Sequence, residues 1–298
     1  MFNLLQRWRE RGWRPIDANL YAQAWARFGG SVVTHPEIVA KLSTLAGIPV
    51  HYLGWPLQGE VLAAIPVWGS SLALSRNVLK RTGQRDLFDL GNSEVILPVA
   101  QGAQAPIRQR LRYVSALHEG SISTLRKQPD ELALARQPEE YGKKFRYNQR
   151  RELRMLEDAG GEVLPVSGLA ADALAAIYTE LFEKRWGFAV PGKRHLAEVF
   201  EALKDFLWGS YLQLDGKSIA VQVLYRVESP DWISIEYING GVDPESRDFS
   251  PGSVLSFINT QAAWEDARAR GKPLRYSFGR ADVEYKDRWC NRHPVFQV

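Results

Sequence analysis

SPGSVLSFINTQAAWEDARARGKPLRYSFGRADVEYKDRW, residues 250–289, reads as a helix, a strand and a charged turn in close succession. Val254, Leu255, Ile258 and Ala262 recur at three- and four-residue spacing, the period that keeps an apolar helix stripe on a core. Pro251 suits a first helical turn, where its missing N–H costs nothing, and Ser250 or Ser253 can supply a cap. Gly271, after Arg268 and Arg270, is a helix stop. A short strand over 274–278 follows, then Gly279, Arg280 and the run Tyr285-Lys286-Asp287-Arg288-Trp289. A helix start carries unpaired N–H groups and partial positive charge, which attract phosphate or carboxylate. Taken alone, the stretch equally describes a capped surface helix feeding a strand.

Upstream, the pattern predicts a strand over 162–166, helices over 170–185 and 194–208, and a hairpin of 211–214 with 219–227 around Asp215-Gly216. A third strand over 232–239 leads into the opening stretch. The order β-α-α-β-β-β-α-β predicts an α+β protein with a mixed sheet, and it resembles the Gcn-five-related acetyltransferases. In the N-terminal half, a helix over 36–46 and strands over 49–53, 60–68 and 95–99 are predicted, while 101–137 alternates without a firm pattern. The halves echo each other: HYLGWPLQGEVLAAIPV at 51–67 resembles SYLQLDGKSIAVQVL at 210–224, with Gly59 opposite Gly216. Such an echo points to two copies of one supersecondary unit, the N-terminal one degenerate. The predicted division is 1–140 and 141–298.

YGKKFRYNQRRELRMLEDAGG carries the strongest local charge in the chain. On a helix, Tyr141, Phe145, Leu153 and Leu156 share an apolar face. Lys143, Lys144, Arg146, Arg150, Arg151 and Arg154 cover the opposite one. A charge run is usually a solvated face, but this one is single-signed, which favours an anionic partner such as an acidic lipid surface. Only Tyr147 is interleaved for base stacking, so sequence-specific nucleic-acid binding is not indicated. At the start of the chain, Leu4, Leu5 and Trp8 lie among Arg7, Arg9, Arg11 and Arg14, a pattern suited to a membrane interface or to docking on the domain itself.

A chain of 298 residues, 45% hydrophobic, can bury one or two cores; its net charge is +4. One cysteine, Cys290, excludes an internal disulfide framework. There is no secretory h-region, and no apolar run approaches the ~20 residues that span a bilayer. The five histidines do not cluster and no HExxH spacing occurs, so a metal site is not expected. No GxSxG elbow or phosphate loop is present.

The pieces KFRYNQRREL at 144–153, FEKRWG at 182–187, the Gly216 hairpin, SPGSVL at 250–255 and YKDRW at 285–289 resemble the Fem aminoacyltransferases and cellulose-biosynthesis-type acetyltransferases. Over nearly its whole length the chain resembles the macrophage-inducible Mig-fourteen family, Gram-negative inner-membrane-associated proteins linked to survival of antimicrobial peptides. The resemblance implies a peripheral acyltransferase on the cytoplasmic side of the inner membrane, transferring an acyl or aminoacyl group to an envelope precursor or a cationic peptide. The alternative is a catalytically silent scaffold that binds anionic lipid or a protein partner. The implied donor, acyl-CoA or aminoacyl-tRNA, would place its phosphate at Ser250, Gly252 and Ser253, with Arg247, Arg280 and Arg288 assisting. The usual coenzyme-A loop is richer in glycine than this one. Lys286 behind Tyr285 matches the Fem lysine that stabilises the oxyanion. Glu236, on the central strand, is the foremost candidate base, with Asp282 and Glu284 behind it; Trp186 and Trp289 would wall the cleft.

Overall fold

The computed structural model of the chain describes residues 8–298. The start of the predicted interfacial segment, with Leu4, Leu5 and Arg7, lies outside the described residues. Of its remainder, Trp8 is exposed beneath the Arg108 guanidinium, 5.5 Å from the ring centroid.

Two sheets are built by one repeated order. In the first, β1 (Arg14–Ile16), α1 (Ala18–Phe28), α2 (Pro36–Leu45), β2 (His51–Leu57) and β3 (Glu60–Trp68) follow in sequence, and β4 (Ser71–Leu72) completes the order β1-β2-β3-β4. After α3 (Arg76–Arg81), β5 (Val114–Ser115), β6 (Arg126–Ala135) and α4 (Lys143–Asp158), the order recurs. It runs β7 (Glu162–Pro165), α5 (Ala171–Trp186), α6 (Leu196–Ala202), β8 (Leu207–Trp208), β9 (Ser210–Leu214), β10 (Lys217–Glu228). The chain then adds β11 (Ile233–Val242), α7 (Pro251–Ala269), β12 (Leu274–Arg280) and β13 (Cys290–Gln297). β1 pairs antiparallel with β2 as β7 does with β9. The two hairpins turn alike: Gln58 and Gly59 have φ of 53° and 89°, Asp215 and Gly216 of 51° and 72°. Consecutive left-handed residues are what a two-residue hairpin loop needs to match strand twist.

The second sheet has the order β5-β13-β6-β12-β11-β10-β9-β7, with β8 pairing β10 outside that path. It is antiparallel except between β11 and β12, and it draws β5 and β6 from before residue 140. Neither β6 nor β13 is conspicuous in sequence, because Pro129 and Pro294 interrupt their patterns. The strand predicted over 95–99 forms only isolated bridges at Val95 and Val99. Side chains take its ladder donors instead: Ile96 N–H donates to Ser31 Oγ (3.1 Å) and Leu97 N–H to His118 Nε2 (2.9 Å). The helix predicted over 194–208 is cut to α6, a 3₁₀ turn and β8.

Helix α7 is covered on more than one stripe, with Val254, Leu255, Phe257, Ala263 and Ala267 all buried. Ala262, expected in the buried stripe, is only half-buried. A polar lock fixes the register: Gln222 Nε2 donates to Ser256 Oγ (2.8 Å), and Asn259 Nδ2 donates to Gln222 Oε1 (2.8 Å). Buried polar groups of this kind rigidify only when satisfied, as these are. Helix α4 docks as its apolar face predicts. Phe145 stacks 5.1 Å from Tyr141 and meets the Trp289 ring edge-on at 5.1 Å, while Leu156 is fully buried.

Candidate functional site

Strands β11 and β12 run parallel only from Ile233/Leu274 to Glu236/Ser277, although β11 continues to Val242 and β12 to Arg280. Beyond Glu236 the two diverge. At the same place the β10–β11 register slips between Val223 and Leu224, so that Val223 faces Asn239 and Leu224 faces Tyr237, with Ile238 extra. A bulge bends its strand and re-aims its side chains. The opening is a cleft of about 360 Å³ lined by Tyr237, Gly240, Gly241 and Val242 of β11, by Arg185 and Gln222, by the start of α7, and by Tyr285, Arg288 and Trp289. Its size falls in the range of small-molecule sites.

The glycines are required by packing. A Cβ on Gly241 would lie 2.5 Å from the backbone of Leu181 and Phe182, and one on Gly240 would lie 2.7 Å from the Tyr237 hydroxyl. Arg185 Nη1 donates to Gly240 O (3.3 Å) and lies 4.6 Å over the Trp186 ring. The Tyr237 hydroxyl is committed to Arg185 and Gln222, and burial raises its pKa. Tyr285 differs. Its hydroxyl makes no hydrogen bond among the described residues, and its pKa is raised, by burial first and then by the Tyr237 hydroxyl, with Arg185 opposing. It is therefore a protonated donor available to a guest. Asp243 is the one carboxylate lining the cleft among the described residues. Lys184 Nζ (2.9 Å) and the Glu245 N–H (3.0 Å) hold it ionised, with a lowered pKa.

At the start of α7, Ser250 has φ of 48° and supplies no side-chain cap. Pro251 has no N–H, and the Ser253 and Val254 N–H groups both donate to Ser250 O (2.9 and 3.0 Å). Only the Gly252 N–H is left without a partner among the described residues. The Glu152 carboxylate lies beside Ser250, its pKa raised mainly by burial, with the Ser250 hydrogen bond opposing. A helix start with one spare N–H and a neighbouring carboxylate does not fit a buried pyrophosphate. The accessible phosphate ligands are the exposed guanidinium forks of Arg247 and Arg288 on the cleft wall.

The cleft thus gathers Ser250, Gly252, Ser253, Arg247, Arg288, Tyr285 and Trp289. It does not gather Lys286, Arg280, Trp186 or Glu236. Lys286 Nζ donates to Arg280 O (2.6 Å) and Asp282 Oδ1 (3.0 Å), which fixes the 3₁₀ turn Glu284–Arg288 that presents Tyr285. Arg280 is paired with Asp282 at 2.9 Å, and Trp186 is 45% exposed outside the lining. Side chains alternate along a strand, so if Tyr237 faces the cleft, Glu236 faces away. Glu236 is fully buried, accepting from the Glu94 N–H (2.9 Å) and from the Ser93 and Ser277 hydroxyls. Glu94, also buried, is held by Arg275 through Nε (2.8 Å) and Nη2. Of two carboxyls beside one guanidinium, one must stay neutral. Glu236 is that one, its pKa raised well above 4.5 by burial and by Glu94. This junction ties the loop around Glu94 to the second sheet. Sequence reading assigns no role to Arg185, Gln222 or Tyr237; the signals are FEKRWG at 182–187 for the first and Asn239-Gly240-Gly241 inside a strand for the others.

On α4, Lys143, Lys144, Arg150, Arg151 and Arg154 are exposed and Arg146 half-exposed; none of the six is in a salt bridge among the described residues. Tyr147 stands among them, 62% exposed.

A mixed sheet that splits between its one parallel pair, with a bulge at the split followed by two glycines and a helix start across it, defines an acetyltransferase-like fold. The fold is shared with FemX, at 10% identity over 96% of each chain and a TM-score of 0.57. It is shared also with L-PGS from Bacillus licheniformis, at 11% identity over 95% of this chain and 92% of that one, with a TM-score of 0.51. No curated protein matches the sequence. The profile of the Mig-14 family matches residues 35–298, and the chain belongs to that family.

Proposed function

We propose that the cleft between β11 and β12 binds an activated acyl or aminoacyl donor and transfers its acyl group to an amine or hydroxyl of an envelope component or a cationic peptide. The observation that carries this reading is the divergence of the two strands after Glu236/Ser277, which opens the β11 backbone over 237–242 beside an uncommitted tyrosine hydroxyl. An extended donor lies along that edge with its phosphates against Arg247 and Arg288. The acceptor attacks the donor carbonyl, Tyr285 donates a hydrogen bond to the developing oxyanion, and collapse expels the thiol or ribose hydroxyl. Asp243 is held ionised by Lys184 and is too weak a base to take the acceptor's proton. An amine acceptor therefore attacks as the free base and a hydroxyl acceptor as the neutral alcohol, the proton passing through solvent to the leaving sulfur or ribose oxygen, and catalysis rests on positioning. Lys286 is a positioning residue for Tyr285.

The exposed arginine pair favours aminoacyl-tRNA over coenzyme A. The testing assay offers the purified protein radiolabelled acetyl-CoA or lysyl-tRNA with a cationic peptide or phosphatidylglycerol as acceptor. Label transferred from the tRNA in excess of that from acetyl-CoA is the expected outcome. Transfer from neither sinks the enzymatic reading.

The exposed, unpaired basic face of α4 supports a peripheral place on the anionic cytoplasmic side of the inner membrane, in line with the resistance role expected of the family. It equally supports the scaffold alternative. Among the described residues no helix is long and apolar enough to cross a membrane. Flotation with phosphatidylglycerol vesicles should fall as salt rises, because screening at 0.1 M acts over about 10 Å. Changing Lys143, Lys144, Arg150 and Arg151 to glutamine should abolish it, each cation contributing on the order of 1 kcal/mol. Flotation insensitive to both salt and these changes would refute the membrane role of this face.

A further inference from the structure

A second cavity, larger than the cleft at about 530 Å³, opens beside β4, α3 and the loop over 88–95. Its floor is apolar, formed by Leu72, Leu74, Leu79, Phe88, Val95 and Leu111, all nearly buried. Its polar lining mixes neutral groups with an excess of side-chain cations. Arg76, Arg110 and Arg112 reach it, against the single side-chain carboxylate of Asp89 among the described residues, with the main chain of Val298 also at the lining. Arg76 is only loosely paired with Asp89, at 3.8 Å, and Arg112 is held by Asp130 at 2.7 Å. Arg110 is exposed and makes no ion pair among the described residues. Two non-glycine lining residues, Leu74 and Tyr113, take left-handed φ of 64° and 57°. Strain of that kind persists only where the surroundings impose it, and it gathers at ligand sites.

An apolar hollow of this volume is too large to be a packing defect in a close-packed interior, and it lies within the size range of ligand pockets. Its floor offers nothing to a polar guest, while its mouth presents an excess of guanidinium, whose fork suits carboxylate and phosphate. We propose that this cavity binds a single-chain anionic amphiphile, its hydrocarbon on the apolar floor and its carboxylate or phosphate against Arg110 and Arg76. The site is separate from the cleft. The loop carrying Phe88 and Asp89 also lines a small hollow against Tyr178, Ile238 and Asn239, so it forms the partition between the cavity and the second sheet. The proposal does not depend on the transfer chemistry.

The test is calorimetric titration, below micellar concentration, with dodecanoate, lauroyl lysophosphatidate, dodecanol and inorganic phosphate. Both anionic amphiphiles should bind one to one. Dodecanol, lacking the charge-assisted contact, should bind about tenfold more weakly, and inorganic phosphate, lacking the chain, should not be detected. If lysophosphatidate is the tighter, the natural guest is a lipid headgroup; if dodecanoate is, it is a free fatty acid. Arg110→Ala should weaken both anions about tenfold and leave dodecanol unchanged, with Arg76→Gln as a second variant should the first melt early. The cleft variant Arg288→Ala should change neither. Undiminished dodecanoate binding in both rim variants, or a loss on Arg288→Ala instead, would overturn the proposal.

Discussion

Replacing Tyr285 by phenylalanine is expected to lower the transfer rate about 100-fold or more while leaving donor affinity and folding unchanged. Removal of one preorganised oxyanion donor typically costs 10²–10³ in kcat. Of the two tyrosines in the cleft among the described residues, the Tyr285 hydroxyl has no partner, whereas that of Tyr237 is engaged by Arg185 and Gln222. Tyr237→Phe should accordingly act mainly on KM, through the disturbed Arg185. Steady-state kinetics on the two variants separate these effects. A kcat loss confined to Tyr237→Phe would reverse the assignment. Because Tyr285 stays protonated well above neutrality, no loss of rate from its ionisation is expected up to pH 9. The rate should instead rise with pH as the acceptor amine is freed.

Arg275→Met is expected to destabilise the protein by about 3–5 kcal/mol at pH 7, since it strands the buried Glu94 carboxylate. The sign of the pH dependence follows from Glu236. A carboxyl whose folded pKa is raised above its ordinary 4.5 contributes stability that is fully present below 4.5 and is lost as pH rises through the folded value. Glu236 therefore opposes the stability that His35 and His118, whose pKa values burial lowers to about 4, contribute as pH rises from about 4 to 6.5. Glu236→Gln should accordingly gain on wild type as pH climbs above 4.5 while keeping activity. Urea melts across this pH range decide it. A Glu236→Gln protein that folds normally and has lost all transfer would restore Glu236 as the base.

The placement of these residues marks the limit of what the sequence alone could tell. Helix α7, the two hairpins and the basic face of α4 are local patterns, written in three- and two-residue periods and in the Gln58-Gly59 and Asp215-Gly216 turns. The cleft is not local. Arg185, Gln222, Tyr237 and Tyr285 come from three strands or helices and a turn, and they meet because two strands part after four paired positions. In sequence, Glu236 and Lys286 are attractive on identity and neighbourhood. Strand alternation turns the first away, and the carbonyl of Arg280 captures the second. The helix start at Pro251 looks like an anion site in sequence, yet the left-handed Ser250 gathers two of its N–H groups onto one carbonyl.

The central claim is that the opened edge of β11 is where the donor lies. Hydrogen–deuterium exchange with and without a non-hydrolysable aminoacyl-adenosine phosphate, and with and without acetyl-CoA, tests it most directly. Protection should appear over 237–242 and 284–289 on addition of the aminoacyl analogue, with Arg288→Ala weakening it. Protection confined to other segments, or absent with both ligands at concentrations well above a typical KM, would contradict the claim.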